Sequence, residues 1–211
     1  MSDQETAPDD NLLSAKSILL LVSIAILALV LGIVVANQLK PAKPEFKGYP
    51  SISGDFSLQS VNGPVALQDF RGKVVALYFG FASCPDVCPT SLGVMSSAIK
   101  SLDAAQQAAV IPMFISVDPD RDSPERLATY TKSFHPDMIG LTGTREQIDA
   151  VTGQYRMLYK IVPMEDSAMG YTVDHASTIY VIGRNGIVQS LLQHGTPPTK
   201  VAEKIKAALD I

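Results

Sequence analysis

No charged residue occurs between Lys16 and Lys40, and that gap splits the chain into two bodies. The run 18–36, from Ile18-Leu19-Leu20-Leu21 to Val34-Val35-Ala36, is apolar on every side. As a helix rising about 1.5 Å per residue, it roughly matches a hydrocarbon core ~30 Å thick. A helix apolar all round belongs in a large core or in a bilayer; a place near the N-terminus favours the bilayer. The competing reading is a cleaved signal peptide with Val34-Val35-Ala36 as a weak cleavage site, but such apolar regions usually run to only about 7–15 residues. The expected layout is a short polar tail over 1–17, a transmembrane helix over 18–36, a linker over 37–50 and a globular domain over 51–211. Pro41, Pro44, Gly48 and Pro50 mark the linker. Lys16 precedes the span, whereas Lys40, Lys43 and Lys47 follow it. The positive-inside tendency alone would keep the C-terminal side in the cytoplasm; long domains translocate largely regardless of charge.

A net charge of −4, a charged fraction of 18% and no long Lys/Arg run exclude a phosphate-binding surface, so no nucleic-acid partner is expected. Short extended pieces are expected on either side of a turn at Asn62-Gly63. Val74 to Phe79 is β-branched and aromatic, as in a strand buried on both faces. Leu92, Met95, Ile99 and Leu102 recur at helical spacing. Val110 to Val117 is a second apolar strand, followed by the acidic loop Asp118-Pro119-Asp120-Arg121-Asp122. Ser123 caps and Pro124 opens the next helix, which runs to about Phe134. Ile139-Gly140-Leu141 is extended, and Thr144 with Gln147 forms a capping box. Lys160-Ile161-Val162 is extended and leads into a loop rich in Met and acid. Asn185-Gly186 turns a hairpin between 177–182 and 187–192. A closing helix carries Val201, Ile205 and Leu209. Strands alternating with helices predict an α/β fold with a mixed sheet.

The only two cysteines, Cys84 and Cys88, lie between the first buried strand and its helix. Open α/β sheets place ligands at such strand ends. A helix N-terminus favours thiolate over thiol, and Pro89 suits the first helical position. Positions i and i+4 share a helical face, bringing the sulfurs within reach of each other or of one ion. Two buried small hydrophobes would be the plainer role. A third ligand must come from elsewhere. His135 suits a helix end and His194 suits solvent. His175 is the best candidate, with Asp174 to orient it, although a lone His before a strand is more often structural. Two thiolates and an imidazole suit copper, particularly Cu(I), whereas structural zinc wants four ligands. Met157, Met164 and Met169 are alternative soft ligands, more naturally read as packing. The acidic loop lacks the spacing of a calcium loop and is read as capping and partner docking.

The domain resembles the Sco/SenC family of membrane-anchored copper chaperones. The residues that carry the resemblance are Gly72-Lys73-Val74-Val75, Tyr78-Phe79-Gly80-Phe81, Cys84-Pro85-Asp86-Val87-Cys88-Pro89, Ser116-Val117-Asp118-Pro119-Asp120-Arg121-Asp122, Phe134-His135-Pro136, Ile139 to Gly143, and Asp174-His175. The family often has His where this chain has Ser83. The resemblance implies a thioredoxin-like fold, with the loop near Ala176 turning His175 toward the thiols. It implies Cys84, Cys88 and His175 as ligands to copper, as Cu(I) or Cu(II). It implies a metallochaperone that delivers copper to, or prepares the thiols of, the binuclear copper centre of cytochrome c oxidase. The implied partners are the copper-bearing oxidase subunit, other copper chaperones and thiol reductants. The implied location is the bacterial inner membrane, single-pass, with the C-terminal domain in the periplasm, against the lysine count above. The alternative is a membrane-anchored thiol–disulfide oxidoreductase using Cys84 and Cys88 as its redox pair, in place of a chaperone that is not a conventional enzyme.

Overall fold

The computed structural model describes residues 15–38, 48–164, 167 and 169–210. The chain divides into two compact units, Met1–Phe46 and Lys47–Ile211. In the first, helix α1 (Ala15–Gln38) covers the apolar run, and its side chains at 18–33 and 35 are exposed. Among the described residues no helix is long and apolar enough to cross a membrane; the side chains described in α1 reach only from 17 to 33, with 35. The expected tail over 1–14 and most of the linker, 39–47, lie outside the described residues.

In the second unit, β1 (Ser57–Ser60) and β2 (Gly63–Ala66) pair antiparallel around a turn at Val61-Asn62, one residue earlier than expected, with Gly63 already in β2. The buried apolar run becomes β3 (Val74–Gly80), with all seven residues buried. It leads through the cysteine loop into α2 (Val87–Lys100). A short helix α3 (Ala104–Ala108), absent from the sequence expectation, is closed by an Asp103–Gln106 capping box. Then come β4 (Val110–Ser116), α4 (Pro124–Lys132), β5 (Ile139–Leu141) and α5 (Arg145–Gln154). Ser123 and Thr144 cap α4 and α5 as expected, each accepting from the backbone N–H three residues on.

Lys160-Ile161-Val162 is extended as expected, and beyond the Met-rich stretch a second, unexpected strand pairs with it. β6 (Tyr159–Pro163) and β7 (Tyr171–His175) form a separate antiparallel ribbon, with Tyr159 opposite His175. β8 (Thr178–Ile182) and β9 (Val188–Gln193) form the hairpin around Asn185-Gly186, where Gly186 takes a positive φ of 80° that a side chain would strain. Helix α6 (Pro198–Leu209) buries Val201, Ile205 and Leu209.

The main sheet runs β5-β4-β3-β8-β9. β3, β4 and β5 are parallel, whereas β8 is antiparallel to both β3 and β9. Side-chain alternation splits β3 between two layers. Phe79 packs against Tyr155 and Tyr180 on one side, while Tyr78 stacks with Phe114 on the other. The C-terminal end of β3, central and buried, is where the cysteine loop leaves.

Candidate metal centre

The loop after β3 carries Cys84 half-buried, and Cys88, the second residue of α2, is fully buried. Helix α2 begins at Val87 with Asp86 at its N-cap. Cys84 therefore precedes the helix, correcting the expectation of one helical face for both thiols. Pro89 falls at the third helical position rather than the first. Its missing N–H still costs nothing, because the first turn has no intrahelical acceptor for it; the first such bond runs from Thr90 N–H to Asp86 O. The loop itself folds the sulfurs together, with Cys88 N–H donating to Cys84 Sγ at 3.5 Å. Both cysteines are free thiols.

Gly80 makes room for this. A Cβ there would lie 2.7 Å from Cys88 Sγ, 3.0 Å from Phe114 and 3.2 Å from Tyr78. The Gly in Tyr78-Phe79-Gly80-Phe81 is thus a packing requirement of the buried sulfur.

His175 is the last residue of β7, two residues before β8. Its Nε2 lies 3.3 Å from Cys88 Sγ. Its Nδ1 meets Ala176 O at 3.3 Å. In the tautomer that donates Nδ1–H to this carbonyl, the Nε2 lone pair is the one that faces the sulfurs, the form a metal ligand needs. Asp174, expected to orient the ring, is instead exposed on the ribbon opposite Lys160; the backbone does that work. Tyr78 and Phe81 meet the imidazole edge-on, with centroids 6.1 and 6.0 Å away. Ligand atoms of Cys84, Cys88 and His175 all lie within 4.8 Å of one another.

The two thiols share their protons unequally. Cys84 is pulled down to about 3 by the hydrogen bond from Cys88; burial opposes this, and His175 and the backbone N–H groups of Cys88 and Asp86 assist. Cys88 is pushed far above the usual thiol range by the same contact with Cys84 and by burial. In the reduced dithiol this asymmetry favours the thiolate on Cys84 and the proton on Cys88. Among the described residues the buried Tyr130 hydroxyl has no hydrogen-bond partner. Burial pushes the Tyr78 and Tyr130 phenols up.

The other candidates fall elsewhere. His135 is buried, its Nδ1 accepting from Asp137 N–H at 3.2 Å, and burial lowers its pKa. His194 is exposed as expected, but its Nδ1 also pairs with Ser91 Oγ at 3.0 Å. Met157 is core, whereas Met164 and Met169 are exposed near the ribbon's end, against the packing expectation. The acidic loop holds no open carboxylate cage. Asp118 and Asp122 are fully buried and ion-paired with Arg121 and Arg126. Sequence reasoning missed these two carboxylates and Gly80 as parts of the centre. The one signal was the i, i+3 and i, i+4 spacing of each Asp to its Arg.

Fold and site together define a thioredoxin-like domain whose free thiols and one imidazole converge as a soft-ligand set. Residues 45–210 match the SCO1/SenC family, and the chain belongs to that family. An SCO2-like protein of Rickettsia felis is 39% identical over 156 residues, covering 74% of this chain and 76% of that one. The crystal structure of Arabidopsis thaliana ScoI with copper bound has 35% identity and a TM-score of 0.70, over 75% of this chain and 98% of that one. The structure of Bradyrhizobium japonicum ScoI with copper bound has 37% identity and a TM-score of 0.67, over 74% and 99% respectively.

Proposed function

We propose that this chain is a copper metallochaperone, with Cys84 Sγ, Cys88 Sγ and His175 Nε2 holding the ion as cargo. The convergence of those three atoms within 4.8 Å carries the reading. Two sulfurs and a neutral imidazole form a donor set that suits copper, and the copper-bound relatives support it. The copper-bearing subunit of cytochrome c oxidase is the proposed recipient, and other copper chaperones or thiol reductants are the proposed suppliers. Helix α1 is proposed as a single-pass anchor in a bacterial inner membrane, with the domain on the periplasmic side. The charge-free apolar run over 18–36 supports the anchor; a C-terminal reporter active only in the cytoplasm would sink the orientation.

The test is a Cu(I) titration of the reduced full chain against a competing chelator, with His175→Ala alongside. One tight copper per chain, weakened in the variant, is expected. Unchanged affinity in His175→Ala removes that ligand. A second reading is kept because Cys84 is held as thiolate beside Cys88: a membrane-anchored thiol–disulfide oxidoreductase. A chain that ignores copper but turns over disulfides would favour it. The two readings are compatible, because a disulfide must be reduced before copper can enter.

A further inference from the structure

The two arms of the centre come from distant parts of the chain: the loop after β3 supplies the cysteines and the β6–β7 ribbon supplies the histidine. Both are gripped by one short stretch, residues 116–126. On the cysteine side, Asp122 Oδ2 accepts the Ala82 N–H at 2.9 Å, two residues before Cys84. Arg126 extends the grip, with Nε on Asp122 Oδ1 at 3.2 Å and its guanidinium donating to Ser83 Oγ at 3.0 Å. On the histidine side, Tyr171 Oη donates to Asp118 Oδ1 at 2.7 Å. Arg121 pairs with Asp118, donates to Tyr171 O at 3.0 Å and to Met169 O at 3.3 Å, and lies 3.7 Å from the Tyr171 ring centroid. The same guanidinium lies 5.8 Å from the Phe81 ring of the cysteine arm.

The stretch is internally tied. Ser116 Oγ donates to Asp122 Oδ2 at 2.6 Å and accepts Asp118 N–H at 3.0 Å. Asp122 N–H donates to Asp118 O at 3.0 Å. Both carboxylates are fully buried. A buried carboxylate that loses a partner is strongly destabilised, so each grip resists slipping. A ligand constellation works only when its supporting shell holds it within about 0.5 Å.

We propose that residues 116–126 act as a brace setting the separation of the two arms: Asp122 positions the cysteine loop, and the Asp118–Arg121 pair, through Tyr171, positions His175. These are positioning residues; none touches the ion. The inference rests on the copper reading for its consequence but on the apo geometry for its substance, and its test separates the two. Three readouts are taken on the reduced full chain and its variants: Cu(I) affinity by chelator competition, the Cys84–Cys88 reduction equilibrium against a dithiol buffer, and the ring resonances of the histidines.

Tyr171→Phe removes one hydroxyl and keeps the ring. It is expected to move the His175 resonances but not those of His135, leave the dithiol equilibrium unchanged, and weaken Cu(I) about 3- to 10-fold, the size of one ordinary net hydrogen bond. Asp122→Asn is expected to shift the dithiol equilibrium by a similar factor and weaken Cu(I) as well. If Asp122→Asn fails to fold, Arg126→Gln, whose side chain is half-exposed, carries the same readout. Unmoved His175 resonances with wild-type affinity in Tyr171→Phe overturn the histidine half. An unmoved dithiol equilibrium in the folded cysteine-arm variant overturns the other. Wild-type chain that ignores copper sinks the copper reading, and the brace then stands or falls on the two apo readouts.

Discussion

The cysteine arm and the histidine arm meet at one point but are built differently. The cysteine arm leaves β3, buried along its whole length and paired on both sides, and runs into α2, which buries Cys88. The histidine arm ends a two-stranded ribbon outside the main sheet. In β7 only Val173 is buried, and β6 has no buried residue. An isolated two-stranded hairpin is marginal in water. The ribbon's order therefore rests on a few tertiary ties, such as Tyr171 Oη to Asp118 and the Arg145 guanidinium to Tyr159 Oη at 3.3 Å. One arm is part of the core; the other is a lever resting against it.

This contrast can be broken in order of effect. Replacing Cys88 by Ala should abolish copper binding, by at least ~100-fold, beyond the usual loss from an outer partner. It should also lower stability by about 1 kcal/mol, because the thiol is core. His175→Ala should weaken copper about 10- to 100-fold yet leave the denaturation midpoint nearly unchanged. Equal stability losses in the two variants would show that the arms are not mechanically distinct. Gly80→Ala, which drives a Cβ into Cys88 Sγ and Phe114, should cost about 1–3 kcal/mol in chemical denaturation and impair copper binding through the cysteine arm alone.

Hydrogen exchange sharpens the same comparison. Ribbon amides should exchange at least ~10-fold faster than β3 amides, since local opening draws on regions with few buried contacts. Equal protection would mean that the ribbon is as fixed as the core. The smallest expected effect concerns pH. With Cys84 held at about 3, the group is already thiolate throughout the neutral range. Its alkylation rate should stay flat from about pH 5 to 8, whereas an ordinary thiol of pKa ≈ 8.5 gains nearly tenfold per unit there. A rate rising with pH would return Cys84 to the ordinary range.

Much of the fold was legible locally. The apolar run, the buried strands, the capping signals at Ser123 and Thr144 and the Asn185-Gly186 turn depend on neighbours a few residues apart. Of the ribbon, β6 was read at Lys160-Ile161-Val162, but β7 was not legible, because Tyr171 to His175 carries only one buried side chain and mixes polar with apolar residues. The Met-rich stretch before it hid the second strand. The acidic loop read as surface because Asp is rarely fully buried; only the arginines that fold back on Asp118 and Asp122 make burial tolerable.

From the sequence alone came the division into two bodies, the order of strands and helices apart from α3 and β7, and the placing of Cys84 and Cys88 where a strand gives way to a helix. These follow from periodicity and turn chemistry, which act over one or two turns of chain. Tertiary structure alone decided that His175, 87 residues beyond Cys88, would stand 3.3 Å from its sulfur. It also decided that a loop of aspartates would turn inward to hold both arms. Such contacts depend on how the sheet orders its strands and on which buried charges find partners, and neither is written in the local pattern.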